Sequence, residues 1–231
     1  MVSAAGLILA GAIGVAFALW LQREGDWSVG LPWERALMLS LDRTAPPVID
    51  WVMLALPWLG TNLTLAPIIG AFSLWVWRAR GRGDLAVQLM ITVLGGLILN
   101  AVGKDMFDRP RPDLWPLRGQ YQWASYPSGH AIVGVAVFFM VARLTYRERG
   151  WRWPFLAAAI LLVVSLYSRV YLGVHWPTDV IGGMLMGAAW LATVIVAFRP
   201  VERIRERAAQ SFWANPTTVP SRSSTIESSR G

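Results

Sequence analysis

The sequence predicts an all-α protein: a polytopic membrane bundle of six transmembrane helices, with short interfacial helices between spans one and two. Three observations carry this prediction. Apolar residues make up 55% of the 231-residue chain and charged residues 15%, whereas soluble domains carry about 25% charged. Apolar runs recur at close to the length needed to cross ~30 Å of hydrocarbon, roughly 20 residues at about 1.5 Å each. Several of the 14 Trp, among them Trp20, Trp77 and Trp153, stand near the ends of those runs, as residues of an interfacial belt do.

The elements follow in chain order. The run at 3–21 lacks a basic leading segment and an Ala-x-Ala-like cleavage site, so it reads as a retained span rather than a signal peptide. Residues 33–45 (WERALMLSLDRTA) read as an amphipathic surface helix and 47–58 as a short, partly immersed segment. Residues 47–77 are too long for one span and contain Pro57, Gly60 and Pro67, which leaves 62–77 as the second span. Spans at 85–103, 128–146, 154–172 and 178–198 complete the set. Residues 1–210 are expected to form one membrane-embedded domain, and 211–231, rich in Ser, Thr and Pro, a disordered cytoplasmic tail. The absence of Cys excludes a disulfide, a thiol nucleophile and a zinc–thiolate site.

Charge sets the expected orientation. The loops at 78–83 and 143–152 and the stretch from 199 hold 13 of the 21 basic residues, so that side is expected to be cytoplasmic, together with both termini. The net charge of +7 is spread over loops in this way, which argues against nucleic acid as a partner. Twenty of the basic residues are Arg; the one Lys is Lys104, and the two His are His130 and His175. Their scarcity makes their positions informative.

All three fall in clusters expected together at the outer ends of spans three to six: GKDMFDRPRPD, ASYPSGHA and LYSRVYLGVHWPTDVIGG. Charges at membrane depth need partners or a function. Asp179 alone cannot neutralise Lys104, Arg111 and Arg169, and an anionic ligand would. Phosphate suits converging guanidinium groups and a point-charge ammonium. Ser128 and Gly129 open the fourth span, where backbone N–H groups point outward at the positive end of a helix dipole. Gly129 also lets a ligand approach the backbone. A neutral His is a competent nucleophile when its second ring nitrogen meets a carboxylate. Asp179 lies four residues after His175, which leaves His130 as general acid. No cluster of carboxylates is at hand for a metal, so the expected chemistry needs no metal and no cofactor.

The pattern Lys104-x6-Arg111-Pro112, then Pro127-Ser128-Gly129-His130, then Ser168-Arg169-x5-His175-x3-Asp179 resembles the three-part signature of the type 2 phosphatidate phosphatase superfamily at every position. The resemblance covers about 60–198. It implies a six-span bundle, a phosphohistidine intermediate on His175, and phosphate contacts from Lys104, Arg111, Ser128, Gly129, His130 and Arg169. It further implies a membrane lipid phosphate as substrate, with phosphatidate, phosphatidylglycerophosphate or undecaprenyl diphosphate as the bacterial possibilities.

Plainer roles compete at single positions. Arg109 lies outside the signature and reads as a headgroup contact. Asp179 also suits a helix first turn, and Ser128 reads equally as an N-cap. Asp105, Asp108 and Asp113 read as loop charges, and Tyr167, Tyr171 and Trp176 as packing or interface residues. Two rival functions use the same residues. An intramembrane serine protease would want Ser128 and His175, but three cations suit a peptide bond poorly. A non-catalytic lipid-phosphate binding or translocating protein explains the cations but not His130 or the His175–Asp179 spacing.

Overall fold

A computed structural model describes residues 2–44, 47–56, 62–115 and 123–214. All regular structure among them is helical: α1 (Val2–Glu24), α2 (Pro32–Thr44), α3 (Pro47–Ala55), α4 (Asn62–Arg80), α5 (Gly83–Phe107), α6 (Gly129–Arg149), α7 (Trp153–Tyr171) and α8 (Pro177–Ala214). Five of these, α1, α5, α6, α7 and α8, are long and apolar enough to cross a membrane. Helix α4, the sixth expected span, has 19 residues but includes Pro67 and ends on Arg78 and Arg80, and its composition falls short of the other five. The amphipathic stretch and the short segment after it are helices α2 and α3.

The chain divides into two compact units, residues 1–197 and 198–231. In the second, the described residues are the C-terminal part of α8, with Arg199, Arg203, Arg205 and Arg207. Helix α8 runs to Ala214, four residues into the expected tail; 215–231 lie outside the described residues.

The first unit is packed closely enough to fix the helix ends that carry chemistry. Helix α6 packs on α5 and α7, with Ala131, Val135, Leu162, Leu166 and Val180 in one buried cluster. Small residues bring α8 onto α6. A Cβ at Gly183 would stand 2.6 Å from the Ser128 carbonyl oxygen, and one at Gly187 2.5 Å from that of Ile132, so only Gly permits this approach. Helix α3 contributes Ile49, Met53 and Leu54 against Tyr171, Leu172 and Val174. The turn joining α7 to α8 is thereby covered.

Candidate active site

The turn 172–176 is made possible by Gly173, whose φ of +69° lies where L side chains are strained. It delivers His175, 3% exposed, just before Pro177 starts α8 at a position where a missing N–H costs nothing. Asp179 sits in the first turn. Its Oδ2 accepts from the Trp176 backbone N–H at 2.8 Å, reaching back three residues as the acid of a capping box does. The same oxygen accepts from Ser125 Oγ and lies 3.6 Å from His175 Nδ1. That distance is too long for a hydrogen bond.

The three expected cations all act on this imidazole. Burial first, then the charges of Arg111, Arg169 and Lys104, hold His175 well below the usual histidine range, so the ring is neutral near pH 7. Arg111 donates to Val174 O at 2.5 Å and to Trp123 O at 2.9 Å. Lys104, in the last turn of α5, donates to Ala124 O. Arg169, near the end of α7, is 4% exposed. These carbonyls orient the Arg111 and Lys104 side chains.

The PSGH stretch meets the same place through Asp179. Ser128 N–H donates to the Asp179 carbonyl at 3.1 Å, and Gly129 begins α6 with Asn100 packed so close that a Cβ would lie 2.6 Å from Asn100 Oδ1. Ser128 is the N-cap residue, yet its side chain makes no capping bond, and the buried hydroxyl has no hydrogen-bond partner among the described residues. Of its two expected roles, the N-cap one is therefore not performed by the hydroxyl. His130 occupies the first turn of α6 next to it. Among the described residues, no group of three or more His, Asp or Glu is placed to hold a metal ion.

The structure corrects the reading of Arg109. It is 1% exposed, not at a headgroup surface. Its guanidinium donates to Asp179 Oδ1 at 2.6 Å, Thr178 Oγ1 at 2.8 Å, Trp27 O at 2.9 Å and Glu34 Oε2 at 3.2 Å. The Trp27 and Trp176 rings lie 5.2 and 5.5 Å from it, within cation–π range. Glu34, fully buried, also accepts from Thr178 N–H at 3.0 Å and Thr178 Oγ1 at 2.6 Å. Gly30, at φ +79°, lies against Trp176, where a Cβ would come within 2.2 Å of the ring.

Sequence reasoning expected the 22–61 and 104–126 loops to shape the pocket floor but named no site residue in 1–60, and Glu34 was missed. A signal existed. Leu31-Pro32-Trp33-Glu34 and Trp176-Pro177-Thr178-Asp179 share a Pro at the start of a helix and an acid two residues on. Glu34 reaches back to the Leu31 N–H at 2.8 Å as Asp179 does to Trp176. Two acids with the same local geometry converge on one guanidinium.

Comparisons with known proteins follow this geometry. The PAP2 superfamily profile matches residues 85–203. The chain is 31% identical over 167 residues to phosphatidylglycerophosphatase B of Bacillus subtilis, covering 70% of this chain and 81% of that protein. It is 29% identical over 189 residues to an undecaprenyl-diphosphatase of Sulfolobus acidocaldarius, covering 79% and 86%. Its fold is similar to the crystal structure of a transmembrane PAP2-type phosphatidylglycerolphosphate phosphatase from Bacillus subtilis. That similarity has a TM-score of 0.66 at 24% identity, over 86% of this chain and 96% of the other.

Proposed function

The chain belongs to the PAP2 superfamily, and from that premise we propose that it is a membrane lipid phosphatase working through a phosphohistidine on His175. The observation that carries the mechanism is a buried neutral imidazole with Asp179 3.6 Å from Nδ1 and three cations around it. His175 Nε2 attacks phosphorus, the bond from phosphorus to the leaving oxygen breaks, and His130 gives that oxygen a proton. Lys104, Arg111 and Arg169, with the Ser128 hydroxyl and the Gly129 N–H, hold the phosphoryl oxygens as their charge redistributes. Water, deprotonated by His130, then attacks phosphorus; the P–N bond breaks and inorganic phosphate leaves. Besides the substrate, the two steps use only protein groups and one water.

The substrate class is a lipid phosphate or diphosphate. The relatives named phosphatidylglycerophosphatase and undecaprenyl-diphosphatase support phosphatidylglycerophosphate and undecaprenyl diphosphate as candidates, with phosphatidate third. In the proposed topology α4 completes six spans, both termini are cytoplasmic, and the site opens at the outer face of the cytoplasmic membrane. The basic residues of the loops support this orientation, which favours a lipid carrier emptied on the outer leaflet, undecaprenyl diphosphate.

The test is phosphate release by purified protein from these three lipids with millimolar chelator present. Release with any of them supports the reading, and the ratios choose the substrate. A strict requirement for added magnesium would overturn the mechanism, and no release from any lipid phosphate would overturn the function. A reporter fused after Arg207 that is active only in its cytoplasmic form would support the orientation.

A further inference from the structure

We infer that Glu34 and Arg109 are positioning residues of this site, setting both the geometry of Asp179 and the charge it presents to His175. The inference rests on the proposed function and extends the machinery to helix α2, outside the three motifs.

Geometry comes first. Arg109 is held on every side: one terminal nitrogen bonds Asp179 and Thr178, the other bonds Glu34, Nε bonds the Trp27 carbonyl, and two indole rings flank it. A guanidinium so fixed pins Asp179 Oδ1. That leaves Oδ2 for Ser125 Oγ, the Trp176 N–H and the imidazole. Glu34 adds a second clamp through the backbone and hydroxyl of Thr178, the residue before Asp179.

Charge gives Glu34 a purpose that packing alone would not require. Arg109 and Asp179 alone would be a neutral pair, and the carboxylate facing His175 would be compensated. With Glu34 the buried triad sums to one negative charge. His175 otherwise faces Lys104 on α5, Arg111 beyond α5 and Arg169 on α7. As Nε2 bonds phosphorus the ring becomes cationic, and the surplus negative charge is where that cation needs it.

Two charge-changing variants separate positioning from mere structural support. Glu34→Gln keeps the side-chain shape and takes the triad to zero; Arg109→Gln takes it to minus two. Correctly inserted Glu34→Gln should lose about 10–100-fold in kcat with KM little changed, as loss of a residue supporting a reacting group typically does. The second readout is the titration of the His175 ring by NMR in nitrogen-15 histidine-labelled protein, assigned with His130→Ala. The midpoint should rise in Arg109→Gln and stay at or below the parent value in Glu34→Gln. A residue that only packs would, when lost, hydrate the site and raise both. If either variant does not insert, Arg109→Lys keeps the charge but cannot span both carboxylates, and its kcat should fall similarly. Full kcat in folded Glu34→Gln or Arg109→Lys, or a raised midpoint in both Gln variants, overturns the inference. Should the parent release no phosphate, the phosphatase reading fails, and the titrations still decide whether Glu34 and Arg109 set the charge at His175.

Discussion

Arg109 and Arg111 stand two residues apart in one RPRP run, yet they belong to opposite regions of the site. Arg111 lies on the cation side with Lys104 and Arg169, and the acceptors shown for it are the carbonyls of Trp123 and Val174. Arg109 lies in the wall formed by Glu34, Thr178 and Asp179, wholly buried and matched by two carboxylates. Two neighbouring arginines of one motif thus take different places: Arg109 is bound between two carboxylates, and Arg111 is proposed to hold phosphate.

The division can be broken most completely at the imidazole the two regions share. His175→Ala should eliminate turnover in a protein that still inserts, and brief exposure of the parent to phosphorus-labelled lipid should trap an acid-labile phosphoryl group that the variant lacks. Turnover above background in His175→Ala would sink the mechanism for both regions. Next in size is the cation side. Arg111→Lys or Arg169→Lys keeps the charge and loses the bidentate fork, so the rate should fall roughly a hundred- to a thousandfold, about 2.7–4 kcal/mol of transition-state stabilisation.

Stability sharpens the contrast between the neighbours. Arg109→Ala leaves two buried carboxylates uncompensated and should cost about 3–5 kcal/mol, seen as a lower thermal midpoint in detergent. Arg111→Ala should leave that midpoint nearly unchanged while removing most activity. Equal midpoints for the two variants would erase the proposed division. The smallest effect is the pH dependence of His175. Its folded pKa lies below the unfolded value of about 6.5, so the unfolded chain takes up the proton first. The contribution is intact above about pH 6.5, and stability should decline as pH falls below it. His175→Asn should flatten that part of the melting profile relative to the parent.

Helix positions were legible because bilayer thickness imposes a length on any apolar run. The expected span at 85–103 and helix α5 at Gly83–Phe107 differ by a few residues at each end. The cation motifs were legible for a different reason: the one Lys and both His of the chain fall beside Arg111 and Arg169 in clusters at the ends of apolar runs, and their scarcity makes them stand out. Glu34 did not stand out. It lies in a stretch read as a surface helix, where an acid is unremarkable, and its partners are 75 and 144 residues away. Periodicity and hydropathy report on the local segment and carry no information about such pairings. Arg109 was misplaced for the same reason, since nothing near RPRP identifies carboxylates brought from α2 and α8.

The separation of those partners bears on how the protein is made. Glu34 leaves the ribosome long before Thr178 and Asp179, and domains take shape progressively during synthesis at about 5–20 residues per second. Arg109 follows Glu34 by 75 residues, whereas the Thr178 donors come 144 residues later with the start of α8, so until then Glu34 lacks part of its final set of partners. The arrangement around Glu34 is therefore complete only once the HWPTD turn has been made, since that turn supplies Thr178 to Glu34 and Trp176 to Gly30. A chain halted before that helix carries Glu34 and Arg109 but neither the Thr178 donors nor the Asp179 carboxylate that complete their set of partners.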